Sequence, residues 1–300
     1  KGKKISKIYL YSYDLEIYMN KLKRVFVAMV SLVLACVCMF GLTACSQEDI
    51  VEAKFNISIY DTAENEMNNF SLDVDLYGHL APKTVKNISK YIKNGYYDNT
   101  VFYKLDGYDK QFMIGDLKYD PEQVENEGFS LNEKMPTVDG EFEYGGTTGS
   151  NLRHKRGSIG LWRSWAAQDY SYNMGRTGTD SGSATLFMTT DRMQAYDGYF
   201  CVFATYDVEG DNEETLTELE YIFDSSDIEY EQFVIYYTGE YGNLTFHCVK
   251  GGSIDEDKID GLFKAREGSA ELVCYNPYTI NVPMTSDGQV AAKITSARIK

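Results

Sequence analysis

Apolar and polar residues alternate in several short segments of the chain, which is the period of a half-buried β-strand. Residues 55–59 and 70–76 are two such segments, and the polar stretch between them predicts a hairpin with a rather long loop. Further short apolar segments predict strands at residues 101–105, 111–114, 159–162, 185–189, 200–206 and 290–299.

Two segments have the helical period instead. Val85 begins a set of apolar residues spaced i, i+3, i+6 and i+7, which fall on one face of a helix. Pro82 suits the first turn of that helix and Gly95 its end. Residues 213–223 predict a second helix. Short strands with two flanking helices predict a mainly β fold, in the form of a closed barrel with helices at its ends.

The start of the chain has the pattern of a bacterial lipoprotein signal. Three basic residues follow Met19, an apolar run covers residues 25–40, and small residues precede Cys45. The run is shorter than the roughly 20 apolar residues of a membrane-spanning helix, although a single anchor helix with an incidental cysteine is the alternative. We therefore expect a signal peptide at 19–44 and a lipid on Cys45 that anchors the protein to the extracytoplasmic face of the cell membrane.

The domain boundaries follow from this signal. Residues 1–18 precede Met19 and are interpreted as a non-native upstream start. Residues 45–51 would form a short acylated tether, which leaves 52–300 for the folded domain.

The chain is strongly acidic, which limits its partners. It has 29 Lys and Arg against 45 Asp and Glu, a formal net charge of −16. Residues 1–44 hold seven of the basic and two of the acidic residues, so their removal would leave −21. Because phosphate binding needs Lys and Arg, we expect no nucleic-acid partner and no anionic-lipid surface.

The histidines have no metal-ligand spacing, so we expect no metal. Cys201 lies in an apolar strand pattern and is predicted to be a buried thiol. Cys248 and Cys274 could form one disulfide in an exported protein, but the spacing does not decide it. The three histidines, His79, His154 and His247, are predicted to be structural or exposed.

An ordered series of motifs runs through the predicted domain. The motifs are Ala81-Pro82-Lys83-Thr84-Val85-Lys86-Asn87, Gly95-Tyr96-Tyr97-Asp98-Asn99-Thr100-Val101-Phe102, Phe112-Met113-Ile114-Gly115-Asp116, His154-Lys155-Arg156-Gly157-Ser158-Ile159 and Asp197-Gly198-Tyr199-Phe200-Cys201-Val202-Phe203. Their order and spacing resemble the cyclophilin-type peptidyl-prolyl isomerases, over roughly residues 52–219 and 282–299. The resemblance implies a closed antiparallel eight-stranded barrel with two capping helices. Residues 224–278 would be an insertion before the last strand, with a possible hairpin that covers the barrel.

The resemblance also implies an activity. In this family the reaction is rotation about an Xaa–Pro amide, whose barrier is about 18–20 kcal/mol. No bond is broken and no cofactor is needed. The expected partners are proline-containing polypeptides, here exported proteins that are folding at the cell surface, and a monomer is expected.

Several catalytic positions of the family are changed in this chain. Lys104 stands at the position of the family's catalytic arginine and keeps the charge without the planar fork. Phe112 and Met113 would wall the proline pocket, and Gln111 would replace a missing glutamine through a shifted register. Arg163 is a second cation that could take over catalysis.

The remaining pocket positions come from later strands and loops. Phe187 would be the pocket floor, and Thr185 stands where the family has a glutamine. Trp162 takes the place of a residue that grips the peptide backbone. The other wall positions of the pocket are Tyr196 and Phe200.

These substitutions leave three functions open. The first is a peptidyl-prolyl isomerase, and the second is a proline-peptide binder or holdase that has lost the chemistry. The third is a surface scaffold or adhesion lipoprotein that uses the barrel only as a support.

Overall fold

The computed structural model describes residues 49–133, 135–143, 151–163, 182–240, 243–251 and 275–300. Most of its regular structure is β-strand. In chain order the strands are β1 (Ile50–Asp61), β2 (Glu66–Tyr77), β3 (Lys104–Leu105), β4 (Gln111–Ile114), β5 (Leu117–Tyr119), β6 (Phe129–Leu131), β7 (Ser158–Leu161), β8 (Leu186–Thr189), β9 (Cys201–Thr205), β10 (Glu229–Glu240), β11 (Asn243–Lys250), β12 (Tyr275–Met284) and β13 (Ala292–Ile299). The described α-helices are α1 (Pro82–Lys93) and α2 (Gly210–Asp224), and short 3₁₀ turns lie at Glu125–Gly128 and Gln194–Tyr196.

The main sheet is antiparallel and has seven strands in the order β13-β1-β2-β9-β7-β8-β4. The predicted hairpin is present, because β1 and β2 pair along their whole length, with Ile57 opposite Phe70. The last strand returns to the first, since β13 pairs with β1. The mainly β fold with two helices is therefore confirmed for the described residues.

Both predicted helices are present, and α1 buries its predicted apolar face. In α1 the buried residues include Val85 and Ile88, and Gly95 follows the helix with a positive φ of 71° that suits glycine. No side chain of its own caps the start of α1. Glu141 supplies this cap, because its two carboxylate oxygens accept the backbone N–H groups of Lys83 and Thr84 at 2.9 and 2.8 Å.

The two edges of the main sheet, β13 and β4, both hydrogen-bond to residues 100–103. The Phe102 amide donates to the carbonyl of Ala292 at 3.1 Å on one side. The Met113 amide donates to the carbonyl of Tyr103 at 2.7 Å on the other. These are isolated bridges, so the strand ladder itself remains open between β13 and β4. Of the strand predicted at 101–105, only β3 belongs to a ladder.

A second sheet has four strands in the order β11-β10-β12-β3. The hairpin predicted within 224–278 is present as β10 and β11, with Phe233 opposite Lys250. A small hairpin of β5 and β6, which the sequence pattern did not predict, lies within the segment after β4. Cys248 is a buried free thiol. Its possible partner Cys274 lies outside the described residues.

The main sheet has a buried cluster on each face. The inner core lies between the sheet and the helices, and the outer core includes residues of the second sheet such as Phe233 and Ile280. Successive residues of a strand point to opposite faces. Accordingly, Phe112 belongs to the inner core, while the next residue, Met113, belongs to the outer core.

Candidate active site

Five aromatic side chains meet on the outer face of the main sheet, and we call them the aromatic cluster. They are His154, Trp162, Phe187, Tyr196 and Phe200. Phe187 is at the centre, with its ring centroid 5.9 Å from Trp162, 5.8 Å from Tyr196 and 5.6 Å from Phe200, each in an edge-on arrangement. The structure therefore brings four of the predicted pocket residues together.

The rings around Phe187 also stack on one another. Phe200 lies between Trp162 at 5.3 Å and Tyr196 at 4.7 Å, both nearly parallel to it. Such offset ring pairs contribute about 0.5–1.5 kcal/mol beyond burial. Phe187 has no exposed surface, whereas Trp162 and Tyr196 are half-buried. The predicted floor of the pocket is thus covered by its own walls in this structure.

Gly160 is a second determinant of the cluster, and sequence reasoning did not identify it. It lies opposite Phe187 in the β7–β8 pairing. A Cβ atom at this position would be 2.3 Å from Cζ of Phe187. The ring therefore lies directly against the backbone of β7, and only glycine leaves room for it. No local turn or cap marks this glycine, so its role depends on the strand register.

His154 also belongs to the cluster, although the sequence suggested only a scattered structural histidine. Its imidazole stacks on Phe187 at 5.5 Å with an interplanar angle of 7°. The backbone N–H and Nδ1 of His154 lie 3.0 and 3.1 Å from Oδ1 of Asp197. Because Asp197 accepts from Nδ1, the proton of the neutral ring is on Nδ1, and Nε2 is left as an acceptor. Nε2 is buried and has no partner among the described residues.

Burial controls the charge of this histidine. Desolvation lowers the pKa of His154 to about 4, against the opposing effect of Asp197. Burial also raises the pKa of Asp197, but hydrogen bonds from Arg192 and His154 outweigh it and bring that pKa below its usual value. At neutral pH the pair is therefore a neutral imidazole and a carboxylate.

Arg163, one of the two predicted cations, lies at the edge of the cluster. Its Nε donates to the carbonyl of Tyr199 at 2.7 Å. The guanidinium carbon is 5.1 Å from the centroid of Phe200 and 4.7 Å from that of Phe142. Burial lowers the pKa of this guanidinium, but arginine stays charged at neutral pH.

Lys104, the other predicted cation, lies against Phe112 and Phe223 of the inner core. Its Nζ is 3.0 Å from Oδ1 of Asp224 and 3.4 Å from the carbonyl of Phe223, at the end of α2. Helix α2 has no basic residue in its own last turn, so Lys104 supplies a cation to the negative end of the helix dipole. Phe112 accompanies it and stacks on Phe223 at 4.5 Å. The structure therefore does not bring Lys104 or Phe112 to the aromatic cluster.

Met113 and Gln111, by contrast, lie on the outer face with the cluster. Met113 is opposite Phe187 in the β4–β8 pairing. Gln111 is buried, and its Nε2 lies 3.5 Å from Sδ of Met113. Its side-chain oxygen has no partner among the residues that the structure describes.

Thr185 lies beside the half-buried acid Asp116 rather than in the cluster itself. Its backbone carbonyl accepts from the amide of Trp162 at 2.9 Å, and its side chain hydrogen-bonds to Asp116. Burial raises the pKa of Asp116 to about 6, although the Tyr103 hydroxyl donates to it at 2.8 Å. Asp116 is thus the acid of this region whose charge changes nearest neutral pH.

The predictions about the lipid anchor, metal binding and membrane-spanning segments concern residues away from the aromatic cluster. Cys45 and the predicted signal peptide lie outside the described residues. Within the described ranges, no group of three or more His, Cys, Asp or Glu residues could hold a metal ion. No helix in those ranges is long and apolar enough to cross a membrane.

The mainly β fold agrees with a comparison to protein families. Residues 62–235 match the family described as cyclophilin type peptidyl-prolyl cis-trans isomerase/CLD. The chain belongs to this family.

Curated proteins and solved structures give more distant likenesses. The chain is 30% identical to peptidyl-prolyl cis-trans isomerase 9 of Schizosaccharomyces pombe over 133 residues, which are 44% of this chain and 18% of that protein. It therefore spans less than a fifth of that relative's length. A cyclophilin type peptidyl-prolyl cis-trans isomerase of Cryptosporidium parvum is 19% identical, over 57% of this chain and 84% of the other, with a TM-score of 0.37. The same protein in the presence of the dipeptide Ala-Pro is 20% identical, over 55% and 84%, with a TM-score of 0.34.

Proposed function

We propose that this protein is a peptidyl-prolyl cis-trans isomerase that acts on proline-containing segments of other polypeptides. The observation that carries the proposal is the aromatic cluster around Phe187, with Arg163 at its edge, in a chain of the cyclophilin family. Aromatic and apolar walls suit a proline ring, whose burial is favourable in proportion to the apolar area removed from water.

The chemistry needs a donor near the prolyl nitrogen. A hydrogen bond to this nitrogen weakens amide resonance in the twisted state, which is stabilisation by a preorganised charge rather than acid–base catalysis. The Arg163 guanidinium lies against Phe200, which shares the outer core with Phe187, and against Phe142 of the inner core. Lys104 lies against rings of the inner core and contacts the end of α2. We therefore assign the donor role to Arg163.

The test is a protease-coupled isomerisation assay on a tetrapeptide with a central Ala-Pro bond, combined with equilibrium binding of the same peptide. A charge-assisted hydrogen bond contributes about 1.5–3 kcal/mol. Arg163→Ala should therefore lower turnover by roughly 10- to 100-fold, with weaker effects on binding. Unchanged turnover in Arg163→Ala would overturn the assignment, and absence of turnover in the wild-type protein would overturn the isomerase proposal.

A second candidate function is proline-peptide binding without turnover. The observation in its favour is that Lys104, at the family's arginine position, does not reach the aromatic cluster. Peptide binding by the wild-type protein without any acceleration of isomerisation would favour this alternative. A surface scaffold would show neither binding nor turnover.

The cellular setting is also part of the proposal. The basic residues, the apolar run and the small residues before Cys45 support a lipoprotein that is held at the outer face of a bacterial membrane and assists exported proteins. Cys45→Ala should release the protein or leave an unprocessed precursor. Unchanged processing and membrane retention would remove this part of the proposal.

We further propose that the barrel is closed and that residues 224–278 form an insertion over it. Residues 100–103 hydrogen-bond to both sheet edges, which supports an eighth strand in the gap. Phe233 and Ile235 of β10 share the outer core with Met113, which supports the covering role. If residues 100–103 close the barrel, the amides of Phe102 and Met113 should exchange with solvent as slowly as those of β1 and β2. Fast exchange of either amide would contradict closure.

A further inference from the structure

We propose that His154, held by Asp197, is a positioning residue that fixes the Phe187 ring at the centre of the aromatic cluster. This inference rests on the proposed isomerase function for its importance, but its structural part can be tested alone. His154 has no exposed side-chain surface, so it acts through Phe187 rather than by touching the peptide.

Contacts from two directions confine the Phe187 ring. The imidazole lies flat against it, at 5.5 Å and 7°. The backbone of Gly160 lies so close to the ring that an added Cβ would be 2.3 Å from Cζ. Rotation of Phe187 out of its present plane therefore requires His154 or β7 to move. The orientation of His154 thus sets the plane of the Phe187 ring, against which the half-buried Trp162 and Tyr196 pack.

His154 is itself held at more than one point. Oδ1 of Asp197 accepts from both the backbone N–H and the ring Nδ1 of His154. The His154 carbonyl accepts from Arg192 at 3.0 Å and from the Met193 amide at 3.0 Å. Arg192 also forms an ion pair with Asp197, and Arg153 lies 3.6 Å from the same carboxylate. This network fixes both the backbone and the ring plane of His154.

The chemistry of a histidine at position 154 indicates that the residue orients the Phe187 ring and does not only fill space. A buried acceptor without a partner costs free energy, and Nε2 of His154 is such an atom within the described part of the chain. A phenylalanine would fill the same space without that cost. What only histidine supplies here is a flat ring together with an Nδ1–H that Asp197 can hold. Local violations of packing rules of this kind are expected at functional sites.

Two variants separate these properties. His154→Phe keeps a flat ring against Phe187 but removes the donor to Asp197. His154→Asn keeps a donor near the position of Nδ1 but removes the ring. The matched control is Tyr206→Phe, because Tyr206 is also fully buried with an unpartnered polar atom in the described structure, but it lies in the inner core.

The first measurement is NMR of the protein with labelled phenylalanine rings. If His154 fixes Phe187, both His154 variants should show faster flipping of the Phe187 ring and a shifted indole N–H signal of Trp162. Tyr206→Phe should change neither signal. The second measurement is kcat/KM for the Ala-Pro tetrapeptide at a temperature where every variant is folded. Both His154 variants should lose roughly tenfold or more, because misplacement of a binding surface by about 1 Å can cost on the order of 100-fold.

Asp197→Asn tests the route of the effect. It should lower kcat/KM in the wild-type background but have little further effect in His154→Phe, because coupled residues are not additive. Additive losses, or wild-type ring signals and kinetics in both His154 variants, would overturn the proposal. If the wild-type protein neither binds nor isomerises the peptide, the proposed function fails, and the ring signals still decide whether His154 positions Phe187.

Discussion

Arg163 and Lys104 are two buried cations in similar surroundings but with different neighbours. Both are buried, with 3% and 8% of the residue exposed, and each has two phenylalanine rings within 6 Å of its charge. Arg163 lies against Phe200 of the aromatic cluster. Lys104 is paired with Asp224 and with the end of α2. Burial and ring contacts therefore do not distinguish the two cations, but contact with the aromatic cluster does.

The same division separates two neighbours in the sequence. Phe112 stacks on Phe223 in the inner core, and Met113 lies opposite Phe187 in the outer core. A shift of one residue in register exchanges the two faces of a strand. When site residues are assigned to a divergent chain from a family motif, the assignment therefore depends more on the register of each strand than on the residue types that the motif retains.

The largest effects should come from the two buried phenylalanines on opposite faces. Phe187→Ala and Phe112→Ala should each lower the free energy of unfolding by about 3–5 kcal/mol, because each removes a fully buried ring. Only Phe187→Ala should weaken binding of the Ala-Pro peptide. Denaturant unfolding and peptide titration measure the two quantities.

If either alanine variant does not fold, the matched pair Phe187→Leu and Phe112→Leu serves the same comparison with a smaller loss of volume. Equal weakening of peptide binding by the two changes would contradict the division between faces.

His154 and Asp116 should make the stability of the protein depend on pH with opposite signs. The pKa of His154 is lowered from 6.5 to about 4. Between these values the unfolded state binds the proton and the folded state does not, so His154 makes stability fall as the pH drops from 6.5 to 4, by about 3 kcal/mol. The pKa of Asp116 is raised from 3.8 to about 6. The folded state keeps the Asp116 proton up to a higher pH than the unfolded state does, so Asp116 makes stability rise as the pH drops from 6 to 3.8. We expect a contribution of about 2 kcal/mol, which is reduced for solvent screening because the residue is partly exposed to water.

The two contributions should largely cancel in the wild-type protein between pH 4 and 6. Asp116→Asn should reveal the steep loss toward acid, and His154→Phe should reveal the opposite slope. Chemical denaturation in this pH range measures both. Parallel pH profiles in the two variants would show that these groups do not control the acid stability.

A smaller effect is expected at the close contact between Gly160 and Phe187. Gly160→Ala should cost about 1–3 kcal/mol, because the added methyl group overpacks the outer core. It should also reduce peptide affinity by displacing the ring. The double variant Gly160→Ala with Phe187→Leu should lose less stability than the sum of the single changes. Strict additivity would indicate that the ring does not lie against β7.

The smallest effect should come from Lys104. Lys104→Met keeps the apolar stem but removes the charge, and Asp224 is mostly exposed, so stability should fall by only about 1 kcal/mol. Turnover should not change, whereas Arg163→Met should lower it. A loss of turnover in Lys104→Met at unchanged stability would restore the catalytic role that the family motif assigned to Lys104.

Much of the architecture was predictable because it depends on local patterns. The alternation in residues 55–59 and 70–76 predicted a hairpin that is present as β1 and β2. The apolar face that begins at Val85 predicted α1, including its end at Gly95. The insertion hairpin was also predictable from two apolar segments. Each of these features depends on residues that are close together in the chain.

The site was only partly predictable. The order of motifs placed Trp162, Phe187, Tyr196 and Phe200 in one predicted set, and the structure brings these four rings into contact. Sequence reasoning missed His154 and Gly160. The role of each depends on a partner that is distant in the chain, Asp197 for His154 and Phe187 for Gly160.

The sequence by itself therefore determined the mainly β fold class, the two helices and four of the five residues of the aromatic cluster. Only the tertiary structure decided which cation lies beside that set. The reason is physical: alternation along one strand is visible in the sequence, but strand pairing over long distances fixes which face meets which neighbour. That pairing places Arg163 against Phe200 and Lys104 against the end of α2.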